Sequence, residues 1–472
     1  VSGAGTVIFS SLQRFGPSSL WPRELRSRQR TQPVAADLDD DGTMELVLTN
    51  TFSVDRRIHE FVVFDARGRT FRFFPRSVDS SPNAGTLTSP VVGVMNGRRV
   101  IAAGSDFGVA YGVSDSAQVL FATMLTPTAP LTAPVLWEEG PAARLLFGGR
   151  TGIQVVTGTG EIENVVPLGA GITTDLAVGD LDDDGVEEIV AVADDGSVHA
   201  VEIDGTPVSG WPLSPSGSIG APVLVGRSGA PGVERIFFAE STGSGDLVLH
   251  EVGPDGQPVG SGPHVLDRSG LPVLAFSPLA AARTGDGTVE VVLSGTLGSY
   301  FGVQIYRLWR LRAGTGVVDT SDDEYSTQHL QGMLHFSRGL VLDEPRLAEL
   351  SSSPGLEVLQ TTLFDWKEEF VGNPRRYGSR RQVYQWRSDR PSVPWATGPG
   401  HEVFPEVWGL SPLVTDFEGD GYPDFVIIRD NRVYRAGARI RWTLDGMWGS
   451  ERGGRRRTGL SLIHISEPTR LD

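Results

Sequence analysis

The chain has no cysteine in 472 residues, which excludes disulfide staples, thiolate metal sites and cysteine catalysis. No apolar run reaches the roughly 18 to 20 residues that a membrane-spanning helix needs. Long amphipathic helices are missing as well. The nearest stretch, Trp21-Pro-Arg-Glu-Leu-Arg-Ser-Arg-Gln-Arg, is short. The eight histidines (59, 199, 250, 264, 329, 335, 401 and 464) are scattered without metal-ligand spacing. There is no Gly-x-Ser-x-Gly elbow and no phosphate-cradling Gly-Lys-Ser/Thr loop. Positive charge is in deficit: the net charge is −17. Such a surface repels phosphate backbones and argues against a nucleic-acid partner.

What the chain has instead is glycine (59) and proline (31), as many short strands and turns require. It also writes the same acidic phrase three times: Asp37-Leu-Asp39-Asp40-Asp41-Gly42-Thr-Met-Glu45-Leu-Val-Leu, Asp180-Leu-Asp182-Asp183-Asp184-Gly185-Val-Glu-Glu188-Ile-Val-Ala, and Asp416-Phe-Glu418-Gly-Asp420-Gly421-Tyr-Pro-Asp424-Phe-Val-Ile. Carboxylates at positions 1, 3, 5 and 9, with Gly at 6, form an oxygen cage for a hard divalent cation, because alternate residues of a tight loop point the same way. Unbalanced, that much charge would be strongly repulsive, so the pattern implies Ca²⁺ at three sites. The expected ligands are Asp37, Asp39, Asp41 and Glu45; Asp180, Asp182, Asp184 and Glu188; and Asp416, Glu418, Asp420 and Asp424. The backbone carbonyls of Thr43, Val186 and Tyr422 complete the three sets. A helix–loop–helix calcium site would need Glu at position 12, where this chain has Leu48, Ala191 and Ile427. The apolar residues that follow each loop lead instead into a strand.

A repeat extends outward from these loops. Pro33, Leu176 and Pro412 stand four residues before the first carboxylates, and similar openings recur at Pro90, Pro134, Pro222, Pro278 and Pro345. The eight unit starts lie 42 to 67 residues apart. In most units a short apolar strand follows, such as Arg144-Leu-Leu-Phe or Glu290-Val-Val-Leu. Proline suits the first residue of a strand, where its missing N–H costs no ladder bond. Periods of this length with several short strands per unit are the signature of β-propeller blades; solenoid repeats are usually shorter and more uniform. The expected architecture is all-β, with residues 1–445 forming a single propeller. The tail at 446–472 contains a basic stretch, Arg452 to Arg457, breaks the repeat from Gly459 onward and is expected to be disordered or foreign to the fold. The chain begins at Val1 without Met, so its N-terminus is expected to be processed or truncated.

The phrase Small-Pro-Val-x-x-Asp-x-Asp-x-Asp-Gly-x-x-Glu-Ile-Val resembles the FG-GAP/VCBS repeat, the blade unit also found in the integrin α-chain head. Val198-His-Ala-Val-Glu-Ile-Asp204-Gly205-Thr-Pro-Val-Ser-Gly-Trp211-Pro212 looks like the outer hairpin and Gly-Trp-Pro ending of bacterial members. The resemblance covers roughly residues 5–445 and is strongest in units one, four and eight. Unit two has no cage, unit six keeps only Asp286, Gly287 and Glu290, and unit seven keeps little more. The N-terminal stretch ending at Trp21-Pro22 mimics the blade ending at Trp211-Pro212. Pairing it with the last unit would close the ring and remove exposed edges. Eight blades, the favoured count, follow if every unit is a blade; seven follow if 345–411 is an insertion.

The resemblance implies a secreted or surface-exposed, monomeric binding or adhesion module, stabilised by calcium, that recognises a protein or glycan. Residues 364–387 depart from the blade pattern by mixing aromatic and basic side chains, which suits sugar stacking and uronate pairing. They read either as an elongated hairpin or as part of a calcium-dependent polysaccharide lyase. No catalytic residue is assigned.

Overall fold

The computed structural model describes residues 20–298 apart from 28–30, 54–56, 82–84, 127–129, 139–142, 173, 227–231, 261, 268–270 and 284–286. Beyond these it describes 304–314, 317–325, 333–342, 345–348, 357–370, 373–387, 390–395, 413–421, 424–429, 431–437 and 460–461. All regular elements among them are strands, grouped into eight sheets. Each proposed unit start is followed within two residues by a strand of a different sheet: Val34–Ala36, Val91–Met95, Val135–Trp137, Ala177–Gly179, Val223–Gly226, Ala280–Arg283, Arg346–Ala348 and Leu413–Thr415.

Within a unit the chain meanders antiparallel from strand to strand. In unit one Val34–Ala36 pairs with Glu45–Ser53, that strand with Arg57–Phe64, and that with Arg76–Ser81. Unit four runs Ala177–Gly179, Glu188–Val192, Val198–Val201, and Leu213 bridges to Val198 at the outer edge. Long second strands carry extra pairings in units five to seven. The architecture is a β-propeller, in which radially repeated short sheets leave only short edges exposed.

In units one and four the second strand carries an apolar run, because the sheet is buried on both faces there. Successive side chains of a strand point to opposite faces. Leu46 and Leu48 accordingly pack with Leu413, Phe417 and Val426 of unit eight, while Val47 packs with Val92 and Ile101 of unit two. In unit four, Ile189 and Ala191 meet unit three, and Val190 meets Leu224 and Ile236 of unit five. The core is therefore a series of apolar layers between neighbouring sheets. Each fully buried Val, Leu, Ile or Phe contributes about 1.5–3 kcal/mol relative to exposure.

The eighth sheet takes its outer strand from the opposite end of the chain. Arg23–Glu24 pairs with Arg432–Gly437 in the register Arg23↔Val433. Leu25 N donates to Asn431 O at 2.6 Å, and Asn431 Nδ2 returns a bond to Leu25 O at 3.2 Å. Just upstream, Trp21 Nε1 donates to Ala66 O at 3.0 Å, in the turn between Asp65 and Arg69 of unit one. Trp211, at the end of unit four, donates in the same way to Pro254 O at 2.7 Å in the corresponding turn of unit five. The two tryptophans thus do the same job at two junctions. Residues 6–19 of the N-terminal stretch lie outside the described residues. Of the tail, Leu460–Ser461 forms a short parallel strand beside Leu224 and Val225 of unit five, while the rest lies outside them.

Candidate metal centres

Each acidic loop joins the first two strands of its unit, and the strand register folds position 9 back beneath position 1. Ala36 pairs with Glu45, Gly179 with Glu188 and Thr415 with Asp424. The three loops also share backbone angles. Positions 4 and 6 are left-handed in all of them: Asp40 (φ +59°) and Gly42 (+85°), Asp183 (+64°) and Gly185 (+89°), Gly419 (+67°) and Gly421 (+82°). Asp tolerates that region better than most side chains, and Gly takes it without steric cost. No atom lies within 4 Å of a Cβ added at Gly42 or Gly185, so the backbone angle alone accounts for glycine there.

In unit one the position-1 carboxylate caps the loop. Asp37 accepts from Asp41 N at 3.2 Å and from Gly42 N at 2.9 Å. Thr43 donates its N–H at 2.8 Å and its hydroxyl at 2.6 Å to Asp41 Oδ1, holding the Asp41 carboxyl below its usual pKa. Glu45 is buried and accepts from Leu38 N at 2.8 Å. Asp37, Asp39 and Asp41 each offer an oxygen within 4.8 Å of the others. Burial pushes Glu45 up to about 8, against the lowering effect of the Leu38 bond, and the neighbouring aspartates add to the rise.

Unit four assembles a deeper set from Asp180, Asp182 and Glu188, again within 4.8 Å. Glu188 is fully buried and Asp180 is 6% exposed. Gly185 N donates to Asp180 Oδ2 at 3.2 Å, and Leu181 N donates to Glu188 Oε2. The other oxygens, Asp180 Oδ1 and Glu188 Oε1, are buried without a hydrogen-bond partner. Burial pushes Glu188 up to about 8, with Glu202, Asp182 and Asp180 adding repulsion. Two orphaned carboxylate oxygens on residues of one acidic cluster fit a hard divalent cation. Asp184 lies outside this set; its Oδ1 accepts from Val186 N at 2.7 Å.

Unit eight keeps the same frame. Asp416 accepts from Asp420 N at 3.1 Å and Gly421 N at 2.7 Å, and Phe417 N donates to Asp424 Oδ2 at 3.1 Å. Here, however, Arg435 joins the carboxylates: its guanidinium donates to Asp424 Oδ2 at 2.7 Å and to Glu418 Oε1 at 3.2 Å. Burial raises Asp424 to about 6, with Arg435 pulling the other way. Tyr422 lies outside the described residues.

Sequence reasoning missed the arginines. Arg72 reaches Asp39 Oδ2 at 3.3 Å from the same unit, and Arg99 of unit two donates to Asp37 O and Asp40 Oδ1. In unit six Glu290 is held by Arg310 and Arg312. Their spacing in sequence carries no cue, because a turn (Arg72), contact between units (Arg99) and strand register (Arg310, Arg312, Arg435) bring them in. The aromatic and basic residues of 364–387 fall in two long strands, Glu357–Phe370 and Asn373–Arg387, paired in the register Phe364↔Arg380. That is an elongated hairpin between the second and third strands of unit seven.

No protein-family model matches the chain, and no curated protein matches it in sequence. Similar solved structures are propellers of low identity. The BBS1N structure in complex with ARL6DN is 14% identical, covering 75% of this chain and 97% of that one, with a TM-score of 0.41. The WD40 domain of SCAP from fission yeast is 11% identical, covering 88% and 98%, at 0.43. The WD40 domain of Toxoplasma gondii coronin is 10% identical, covering 79% and 88%, at 0.39.

Proposed function

We propose that the chain is a calcium-stabilised propeller of the FG-GAP/VCBS type. In this reading it has eight blades, closed by Arg23–Glu24, and serves as an extracellular binding or adhesion module for a protein or glycan. The observation that carries the calcium reading is the acidic cluster of unit four, where the buried Asp180 Oδ1 and Glu188 Oε1 both lack a hydrogen-bond partner and the exposed Asp182 adds a third carboxylate. Asp180, Asp182 and Glu188 would hold one ion, and Asp37, Asp39 and Asp41, with Glu45 beneath them, a second. Both clusters sit inside loops that link two strands of one blade, so the ion acts as a staple. Specificity then belongs to the variable loops on a face of the ring, as is usual for rigid scaffolds.

The test is thermal. Extracellular oxygen cages typically bind with Kd of about 10⁻⁴ to 10⁻³ M. At roughly 2 mM free Ca²⁺ and a Kd near 0.1 mM, each site adds about 1.8 kcal/mol. Excess EGTA is therefore expected to lower Tm clearly, and Asp182→Ala to remove part of that response. A melting curve indifferent to EGTA overturns the calcium reading. A glycan array with and without calcium addresses the ligand: binding without turnover supports the module, and new unsaturated-uronate absorbance supports the lyase alternative.

A further inference from the structure

The loop of unit eight has the frame of a cation cage with a cation already built into it. The Arg435 side chain is 1% exposed. Besides Asp424 and Glu418 it donates to Ala66 O in unit one, and its guanidinium carbon sits 5.0 Å from the centroid of Phe417. Two of the four expected carboxylate ligands thus hold a group that stays charged at any ordinary pH. We propose that Arg435 takes the place of the divalent ion in unit eight, so that the chain binds ions in units one and four only and its first and last blades are tied by a metal-independent staple. This rests on the calcium reading of units one and four.

Strand register supports the assignment independently. Arg435 is the cross-strand partner of Val426, two residues beyond the position-9 carboxylate Asp424. In unit six, where the loop has lost most of its acids, Arg310 is the cross-strand partner of Val292, two residues beyond Glu290, and donates to Glu290 Oε2. The same place holds Val63, opposite Val47, in unit one, and Ala200, opposite Val190, in unit four. Neither side chain can reach as a cation. Among the described residues, no arginine is hydrogen-bonded to Glu45, and none to Glu188. Each of these four units therefore has either an arginine on its position-9 carboxylate or an acidic cluster whose position-9 carboxylate is held by no arginine; in unit one the arginines reach only Asp39, Asp40 and the Asp37 carbonyl. A divalent ion beside the buried guanidinium would meet like charge at close range in a poorly screened site. It would also have to displace Arg435 from Phe417 and from Ala66.

The experiment counts calcium bound to the full chain after EGTA stripping, by equilibrium dialysis with radioactive Ca²⁺. Two ions per chain are expected for the parent, one for Asp182→Asn, and still two for Asp416→Asn. Arg435→Gln is expected to melt several degrees lower than the parent in EGTA and to take up a third ion. A parent count of three that falls to two in Asp416→Asn overturns the proposal, and this comparison stands even if Arg435→Gln fails to fold. An Arg435→Gln protein with the parent's count and the parent's Tm in EGTA overturns it as well. A parent count of zero overturns the calcium reading of units one and four; the Tm of Arg435→Gln in EGTA then decides the staple on its own.

Discussion

Glu60 shows what burial does to one side chain in so acidic a chain. It is 2% exposed on the strand Arg57–Phe64, and its cation, Arg26, lies 3.7 Å away with 59% of its side chain in solvent. Burial pushes the Glu60 carboxyl up to about 6 from its ordinary 4.5, and Arg26 offsets only part of that. Because the folded value is the higher one, the folded chain holds a proton that the unfolded chain has already released. The stability this group contributes is fully present below pH 4.5 and is lost as pH rises through 6. The loss is about 2 kcal/mol, from a shift of roughly 1.5 pH units. Glu60→Gln is therefore expected to flatten this part of the pH profile and to be the more stable protein at pH 7.5. Urea melts of both proteins at pH 4.5 and 7.5 check it; parallel profiles would count against the assignment.

At the scale of the element, the informative feature is that the core lies between sheets rather than inside any one of them. Phe237 is fully buried where Val233–Ser241 of unit five meets unit six, beside Ala281 and Val291. Phe73 lies in the connection after the third strand of unit one and is 76% exposed. Phe237→Ala is expected to cost about 3–5 kcal/mol by leaving a cavity in a packed layer. Phe73→Ala is expected to change stability by no more than about 0.5 kcal/mol. Denaturant midpoints of the two variants measure the contrast, and equal losses would contradict the layered core. The loops obey a different rule. Gly185 has open space around it but a φ of +89°, so Gly185→Ala is expected to cost about 1 kcal/mol through backbone strain alone, read from the same melts.

For the whole molecule, the decisive contacts are those that join the two ends of the repeat. Trp21 and Trp211 make equivalent indole bonds at the junctions of units eight with one and four with five. If the ring is continuous, the two junctions carry similar loads. Trp21→Ala and Trp211→Ala are then expected to lower stability by comparable amounts, about 3–5 kcal/mol each. A Trp21→Ala protein that melts like its parent, beside a Trp211→Ala protein that does not, would show the first junction to be peripheral. Salt-dependent surface pairs such as Arg69 with Asp65, 2.6 Å apart, contribute little by comparison.

Much of this was legible in the linear chain because it is local. A proline or apolar opening, a carboxylate on alternate residues and a glycine at position 6 act within thirteen residues, so Asp37, Asp180 and Asp416 announce their loops and the strands that follow them. The start of every unit could be read in the same way, because each strand begins within two residues of its opening. What only the tertiary structure decided is which charge balances each loop. Arg435 comes from the next strand, Arg99 from the next unit, and Arg310 from across unit six. Val63 and Ala200 occupy the places where an arginine would have served. Sequence spacing records which carboxylates share a loop; strand register and blade contact determine what stands opposite them, and with it whether a buried acid meets a guanidinium or does not.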